Sequence, residues 1–469
     1  MTLIKSISGI RGTIGGKPGD GLSPFDVLKF TSAYGIWLKR AHQGTRCKVV
    51  IGRDARISGQ MVTGLVSSTL MSLGIDVVDA GLSTTPTIEM AVPFHQAQGG
   101  IILTASHNPK QWNALKLLNH KGEFLSAADG AEVLSIAENE EMEFADVNSL
   151  GKLSTDPLAI ARHIEAVLAL PMVDRKAIKA KKFIVAIDCV NSTGGIALPA
   201  LLKALGVEQI IELYCTPDGN FPHNPEPLPE HLTEISKVVV KSKAHVGLVV
   251  DPDVDRLAMV CEDGEMFGEE YTLVAVADYV LQHKKGNTVS NLSSTRALRD
   301  ITEKHGGTYS ASAVGEVNVV EMMKATQAVI GGEGNGGVIL PELHYGRDAL
   351  VGIALFLSLL AKSGKTCSML RSSYPGYFIS KNKIELTPDV DVDLILENII
   401  EKYKNHPVNT IDGVKIEFDK EWVHLRRSNT EPIIRIYSES QSMTTANNLA
   451  SKIMADIKDI LNGVLSKVN

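Results

Sequence analysis

Ser106 and His107 stand back to back in the stretch TASHNP (residues 104–109), which follows the apolar run Gly100 to Leu103 and closes on Asn108 and Pro109. A hydroxyl and an imidazole on a turn at the end of a buried strand offer a nucleophile, a metal ligand or an ordinary polar turn, and the segment alone does not choose among them. A second stretch, VVDPDVDR (residues 249–256), is more specific. Side chains alternate along an extended loop, so Asp251, Asp253 and Asp255 converge on one point, where three carboxylates repel unless a cation sits among them. An EF-hand is excluded, because Arg256 occupies the sixth position, where that loop needs glycine. Three carboxylates leave coordination positions open, which suits Mg²⁺ acting on a phosphate.

Two further loops carry polar groups of a different kind. GGEGNGG (residues 331–337) contains a G-x-G-x-x-G pattern, but the Val-Ile-Leu-Pro that follows opens no helix, so a dinucleotide site is rejected. What remains is a glycine-rich loop with one carboxylate, Glu333, and one amide, Asn335, a pair suited to adjacent sugar hydroxyls. SGKT (residues 363–366) fails as a phosphate loop because Leu359 stands where glycine is needed. RRSNTEP (residues 426–432) supplies Arg426, Ser428, Asn429 and Thr430 with no acid before Glu431, the donor set that holds a phosphate monoester.

The elements that must position these loops follow from the apolar pattern. Short β-branched runs (Lys48 to Ile51, Gly100 to Thr104, Phe183 to Asp188, Val246 to Val250) each end in a polar or glycine-containing loop, with amphipathic segments between them. That alternation predicts α/β units, mostly parallel sheets and functional loops at the strands' carboxyl ends. After Pro375 the texture changes to two strands around a polar loop (Trp422 to Leu425, Pro432 to Tyr437) and a helical repeat through Leu449, Ile453, Ile457, Ile460 and Val464, which predicts a smaller α+β domain. A length of 469 residues, with 44% hydrophobic content, predicts three or four domains. The net charge of −7 argues against a nucleic-acid scaffold while leaving room for small anions. Five cysteines without a C-x-x-C pair suggest neither a disulfide framework nor a zinc ribbon. The apolar stretches fall short of a membrane span, and a cytoplasmic protein without membrane or nucleic-acid partners is expected.

SGIRG (residues 8–12), GRDAR (residues 52–56) and TASHNP with Asn113 and Lys116 downstream, followed by the aspartate, glycine and C-terminal loops, resemble in order and spacing the signature segments of the α-D-phosphohexomutase family. The resemblance covers nearly the whole chain. It implies an α/β fold of four domains, three repeated α/β units with mixed sheets plus a smaller C-terminal α+β domain, around a central cleft. On that pattern residues 1–152 carry the phosphoserine loop, 153–257 the metal-binding loop, 258–371 the sugar-binding loop and 372–469 the phosphate-binding loop. Ser106 would be carried as phosphoserine, with Mg²⁺ between it and Asp251, Asp253 and Asp255. Arg256 would neutralise the transferring group, Arg11 and Lys116 would assist proton movement or charge stabilisation, and His107 would orient the loop or act as acid or base. Glu333 and Asn335 would meet the sugar, and Arg426, Ser428, Asn429 and Thr430 its distal phosphate.

The implied activity moves phosphate between the 6- and 1-positions of a hexose through a hexose 1,6-bisphosphate, which also serves as priming donor. In AVGEVN (residues 313–318), Glu316 occupies a position where phosphoglucosamine mutases resemble one another in carrying an acid. That favours glucosamine 6-phosphate and glucosamine 1-phosphate, with glucose and mannose phosphates as the alternative substrates. A sugar-phosphate phosphatase and a non-catalytic binding protein are more remote alternatives. Asn335, Gly337 and Ala114 depart from the Ser, His and Gly frequent in relatives, which bears on substrate choice rather than on chemistry.

Overall fold

The computed structural model describes residues 2–6, 9–386, 391–427 and 433–468. Three sheets share one plan. In the first, strands Lys48–Arg53 and Asp76–Leu82 lie side by side, Gly99–Leu103 adds in parallel on the other flank, and Trp112–Leu118 returns antiparallel outside it. The second repeats this order with Ile184–Asp188, Gln209–Leu213, Val246–Val250 and the return strand Leu257–Cys261. The third does so with Asn287–Asn291, Tyr309–Ser312, Ala328–Glu333 and the return strand Gly337–Ile339. The serine, aspartate and glycine loops therefore occupy the same place, the hairpin between the third strand of a unit and its antiparallel return. A strand enclosed on both faces reads as a continuous apolar run, and Gly99–Leu103 and Val246–Val250 are buried throughout. Gly99 is glycine because a Cβ there would lie 2.0 Å from the Tyr34 hydroxyl, which bridges the carbonyls of Gly100 and Leu118.

Sheet membership moves two of the expected junctions. Strand Leu153–Thr155 pairs with Asp76–Leu82 at the edge of the first sheet, so that unit passes residue 152, and Leu257–Cys261 carries the second unit past 257. The reason is physical: a return strand hydrogen-bonds backwards to the strand before the loop, although in sequence it follows an apparent break. The second and third units also share one apolar core. Helix Ala349–Ser363, buried from Ala349 to Ala361 on every side, runs through it. The last unit is an antiparallel five-stranded sheet with helices Val392–Lys402 and Met443–Val468 and a core of its own. Among the described residues no helix is long and apolar enough to cross a membrane, and all five cysteines are free.

Backbone hydrogen bonds tie the loops together. Thr85 N–H donates to the Asp253 carbonyl (2.9 Å), Leu257 N–H to that of Gly336 (3.1 Å) and Ala349 N–H to that of Val254 (3.2 Å). Three units are thereby locked around one point.

Candidate active site

Ser106 sits at φ +46°, a left-handed conformation that costs a non-glycine residue about 1–2 kcal/mol and must be held by its surroundings. Arg56 holds it. Its buried guanidinium donates through Nε to Asp54 (2.9 Å) and through its two terminal nitrogens to the carbonyls of Ser106, Asn108 (2.6 Å), Pro109 (2.6 Å) and Trp112 (3.0 Å). Asp54 is anchored in turn by the Thr104 hydroxyl (2.7 Å), and Thr104 Oγ1 accepts from Ser106 N–H (2.9 Å). The loop so shaped aims Ser106 Oγ at Asp251 Oδ2, to which it donates at 2.7 Å.

Asp251, Asp253 and Asp255 are fully buried, with carboxylate oxygens within 4.8 Å of one another. Burial and the neighbouring acids push the Asp251 carboxyl well above its ordinary range, since three carboxylates cannot stay charged so close together unaided. Asp253 Oδ2 accepts from Thr85 Oγ1 (2.6 Å) and Lys116 Nζ (2.8 Å), and Asp255 Oδ2 from Arg347 Nη2 (2.7 Å). Asp253 Oδ1 and Asp255 Oδ1 are buried with no hydrogen-bond donor among the described residues. Two unsatisfied carboxylate oxygens in an all-oxygen cluster fit a hard divalent cation.

The cations around this cluster differ in role. Burial opposes the charge of Lys116, but Asp253 and Asp255 outweigh it and keep the amine protonated. Burial, with Arg256 and Arg347 nearby, pushes the His107 imidazole down to about 2, and its Nδ1 lies 3.4 Å from Ser106 Oγ. Arg256 reaches Glu226 at 3.5 Å and Asp255 at 4.0 Å. Its Nε and that of Arg11 are buried without hydrogen-bond partners among the described residues. Arg11 pairs across the sheet with Ala114, which places it on the face shared by Lys116.

Beyond the backbone bond from Leu257 to Gly336, one side chain joins the glycine loop to the aspartate loop. Arg347 donates Nη2 to Asp255, Nη1 to Glu333 (2.9 Å) and Nε to Glu316 (2.9 Å). Glu333 also accepts from Asn291 (2.8 Å) and Gly315 N–H (3.1 Å); burial works against its charge, but Arg347 and Asn291 outweigh it and hold the carboxyl low. Glu316 opens helix Glu316–Thr326, burial pushes its carboxyl up to about 8, and both its oxygens are taken by Arg347 N–H and Nε. Both carboxylate oxygens therefore already accept from a cationic residue before any sugar is bound. Asn335 Oδ1 turns back onto Gly337 N–H (3.3 Å). Arg426 lies apart on the last unit, in an ion pair with Asp412 (2.9 Å). Asp412 also accepts from Val314 N–H (2.9 Å), which docks that unit beside the glycine loop. Ser428, Asn429 and Thr430 lie outside the described residues.

Models of the phosphoglucomutase/phosphomannomutase family match the chain domain by domain: α/β/α domain I at residues 3–144, II at 161–264, III at 268–377 and the C-terminal domain at 388–456. The chain belongs to the phosphoglucomutase/phosphomannomutase family. It is an isomerase, an intramolecular phosphotransferase of the phosphohexomutase kind. It is 35% identical to a phosphoglucomutase/phosphomannomutase of Thermococcus kodakarensis, covering 96% of this chain and 99% of that one. To a phosphoglucosamine/phosphogalactosamine mutase of Sulfurisphaera tokodaii it is 31% identical, over 95% and 97%. A family structure from Burkholderia thailandensis superposes with a TM-score of 0.81 at 25% identity, over 98% of both chains.

In this phosphohexomutase three groups escaped the sequence reading. Arg56 was visible only as part of GRDAR, with no role attached. Arg347 belongs to a second copy of GRDA (residues 346–349), a repetition that signals it. The third is a buried junction of three units. His163 Nε2 and His344 Nε2 both meet Asp348 Oδ2 (2.9 and 3.3 Å), Thr87 Oγ1 meets His163 Nδ1 (2.9 Å), and Glu89 lies 3.3 Å from His344 Nδ1. Burial opposes a charge on His344, but Asp348 and Glu89 carry its imidazole up to about 10, so a positive ring bridges two buried carboxylates. Asp348 Oδ1 meanwhile caps helix Ala349–Ser363 at the N–H groups of Leu350 and Val351.

Proposed function

We propose that this phosphohexomutase interconverts glucosamine 6-phosphate and glucosamine 1-phosphate through a phosphoserine at Ser106 and a glucosamine 1,6-bisphosphate intermediate, in the cytoplasm. The observation that carries the chemistry is the Ser106 hydroxyl donating at 2.7 Å to one of three converging buried aspartates, beside a His107 imidazole whose basicity burial lowers. A serine hydroxyl is a poor nucleophile, and its one close carboxylate, Asp251, is wanted by the cation, whereas the same oxygen bearing a phosphoryl group is a donor whose transfer needs only positioning and charge stabilisation. Asp251, Asp253 and Asp255 would hold Mg²⁺, which supplies Lewis-acid neutralisation of phosphoryl oxygens.

The chain's own groups do the rest. The free hydroxyl oxygen of the bound hexose monophosphate attacks phosphorus, the bond from phosphorus to Ser106 Oγ breaks, and the hydroxyl proton ends on Oγ. Lys116, held protonated by Asp253 and Asp255, and Arg256 and Arg11, whose buried Nε groups make no hydrogen bond among the described residues, stabilise charge on the transferring group rather than accept a proton. His107, neutral and weakly basic, orients the loop. The bisphosphate then presents its other phosphate to Ser106, while Arg426 and its neighbours hold the distal one. A hexose 1,6-bisphosphate phosphorylates the resting serine.

The names of the relatives divide between amino and neutral sugars, and the 35% identical Thermococcus kodakarensis protein keeps glucose and mannose phosphates as the second reading. A coupled assay across glucosamine, glucose and mannose 6-phosphates tests the substrate, with inorganic phosphate release measured alongside. Higher kcat/KM for glucose or mannose phosphate overturns the amino-sugar assignment, and phosphate release outpacing isomer formation overturns the mutase. Peptide mass spectrometry after incubation with glucose 1,6-bisphosphate should place the phosphoryl label on Ser106 and lose it in Ser106→Ala.

A further inference from the structure

We infer that Arg347 is a positioning residue that holds the metal loop and the sugar loop in register, and that residue 337 is glycine to make room for it. Each nitrogen of the guanidinium serves a different carboxylate, Asp255 at 2.7 Å, Glu333 at 2.9 Å and Glu316 at 2.9 Å, so one planar group fixes three elements at once. Arg347 meets Asp255 through Oδ2, which Lys116 also faces at 3.5 Å, while Asp255 Oδ1 accepts no hydrogen bond among the described residues. Its backbone is fastened as well, since Arg347 N–H donates to Glu316 (3.1 Å) and Asp348 N–H to the Val338 carbonyl (2.8 Å).

Gly337 supplies the independent observation. It does not adopt a left-handed backbone, so conformation does not demand glycine there. A Cβ at 337 would instead meet Arg347 Cδ at 2.4 Å and Cγ at 3.0 Å. That contact is with the middle of a side chain whose head is pinned by three acids and whose backbone is pinned by two bonds, so it has nowhere to retreat. The missing side chain of Gly337 and the stem of Arg347 are complementary.

The inference rests on the hexose phosphate reading for its sugar arm, and its metal arm stands alone. Arg347→Lys keeps the charge and loses the three-way fork, and Gly337→Ala keeps every charged group and displaces the arginine stem. Mn²⁺ binding, followed by electron paramagnetic resonance of the free ion without sugar, reads the metal loop. KM for glucosamine 6-phosphate reads the sugar loop, and circular dichroism confirms folding of each variant. Both single variants should weaken Mn²⁺ at least fivefold and raise KM at least fivefold, and Gly337→Ala added to Arg347→Lys should cost no more than twofold further. Unchanged Mn²⁺ affinity in folded Gly337→Ala, a shift in only one of the two constants, or full additivity overturns the coupling. Absence of mutase activity in the native protein fails the functional reading instead and leaves the Mn²⁺ arm to decide the coupling.

Discussion

Replacing Arg56 by Met should separate the stability of this protein from its chemistry. The guanidinium is 1% exposed and makes five hydrogen bonds, one to Asp54 and four to carbonyls of the serine segment. Methionine fills much of the same volume and removes every donor. Breaking a buried ion pair from one side costs about 3–5 kcal/mol, because the partner charge is left uncompensated. Asp54 retains two donors, Thr104 Oγ1 at 2.7 Å and Arg56 N–H at 2.9 Å, the second surviving any substitution, so the lower end, about 3 kcal/mol, is expected. The catalytic effect has a different origin. Ser106 is held at φ +46° against a more relaxed conformation, and its carbonyl and three following ones lose their clamp together. A displacement of about 1 Å at a reacting atom costs about 10²-fold in rate.

The double variant Asp54→Asn with Arg56→Met removes the stranded charge and should recover most of the lost stability in urea unfolding, yet it leaves the loop carbonyls unclamped, so kcat should stay about 10²-fold down. Hydrogen exchange of a peptide spanning residues 100–112 should rise in both variants. A folded Arg56→Met enzyme with kcat within threefold of native, or a double variant that regains activity along with stability, refutes the clamp.

Four further outcomes follow from the geometry. Asp253→Asn removes a charged cluster member and a partner of Lys116, and should raise the Mg²⁺ concentration for half-maximal activity at least tenfold; unchanged metal dependence rules that loop out as the metal site. His344 has a folded-state pKa raised from 6.5 to about 10, so its bridge contributes fully below pH 6.5 and fades as pH rises toward 10; native stability should fall across that window more steeply than that of His344→Gln, and parallel curves would refute the bridge. Glu316→Gln should leave the glucosamine-to-glucose ratio of kcat/KM within twofold, since Arg347 already takes both oxygens; a larger change would restore Glu316 as a substrate contact. Arg426→Ala should raise KM for the sugar phosphate more than it slows phosphorylation of Ser106 by the bisphosphate, and equal losses would deny it the distal phosphate.

What could be read in the sequence and what could not divides along one physical line. DPDVDR announces its chemistry because it packs three carboxylates into one turn, and TASHNP announces its place if not its role, each directly after an apolar run that has to be a buried strand. The glycine loop announces only its flexibility. Its partner Arg347 lies ten residues beyond Gly337 and meets it because the return strand Gly337–Ile339 and the following loop fold back, a contact no local period encodes. The same holds for His163, whose partner Asp348 is 185 residues away. The misplaced junctions have this cause too. LAMVC after the aspartate loop looks like the start of something new, although its hydrogen bonds run back to Val246–Val250. The repeat of the chain is likewise a repeat of strand order rather than of residues. Three units place a loop between a third strand and its return, and that one position holds a serine in the first, an aspartate triplet in the second and a glycine-rich acid in the third. The two GRDA copies show how little identity alone decides. In the first, Asp54 anchors the clamp of the serine loop and Arg53 turns to a neighbouring carbonyl; in the second, the arginine is the bridge and the aspartate caps a helix. Sequence supplies the same four residues twice, and the partners within reach determine what each copy does.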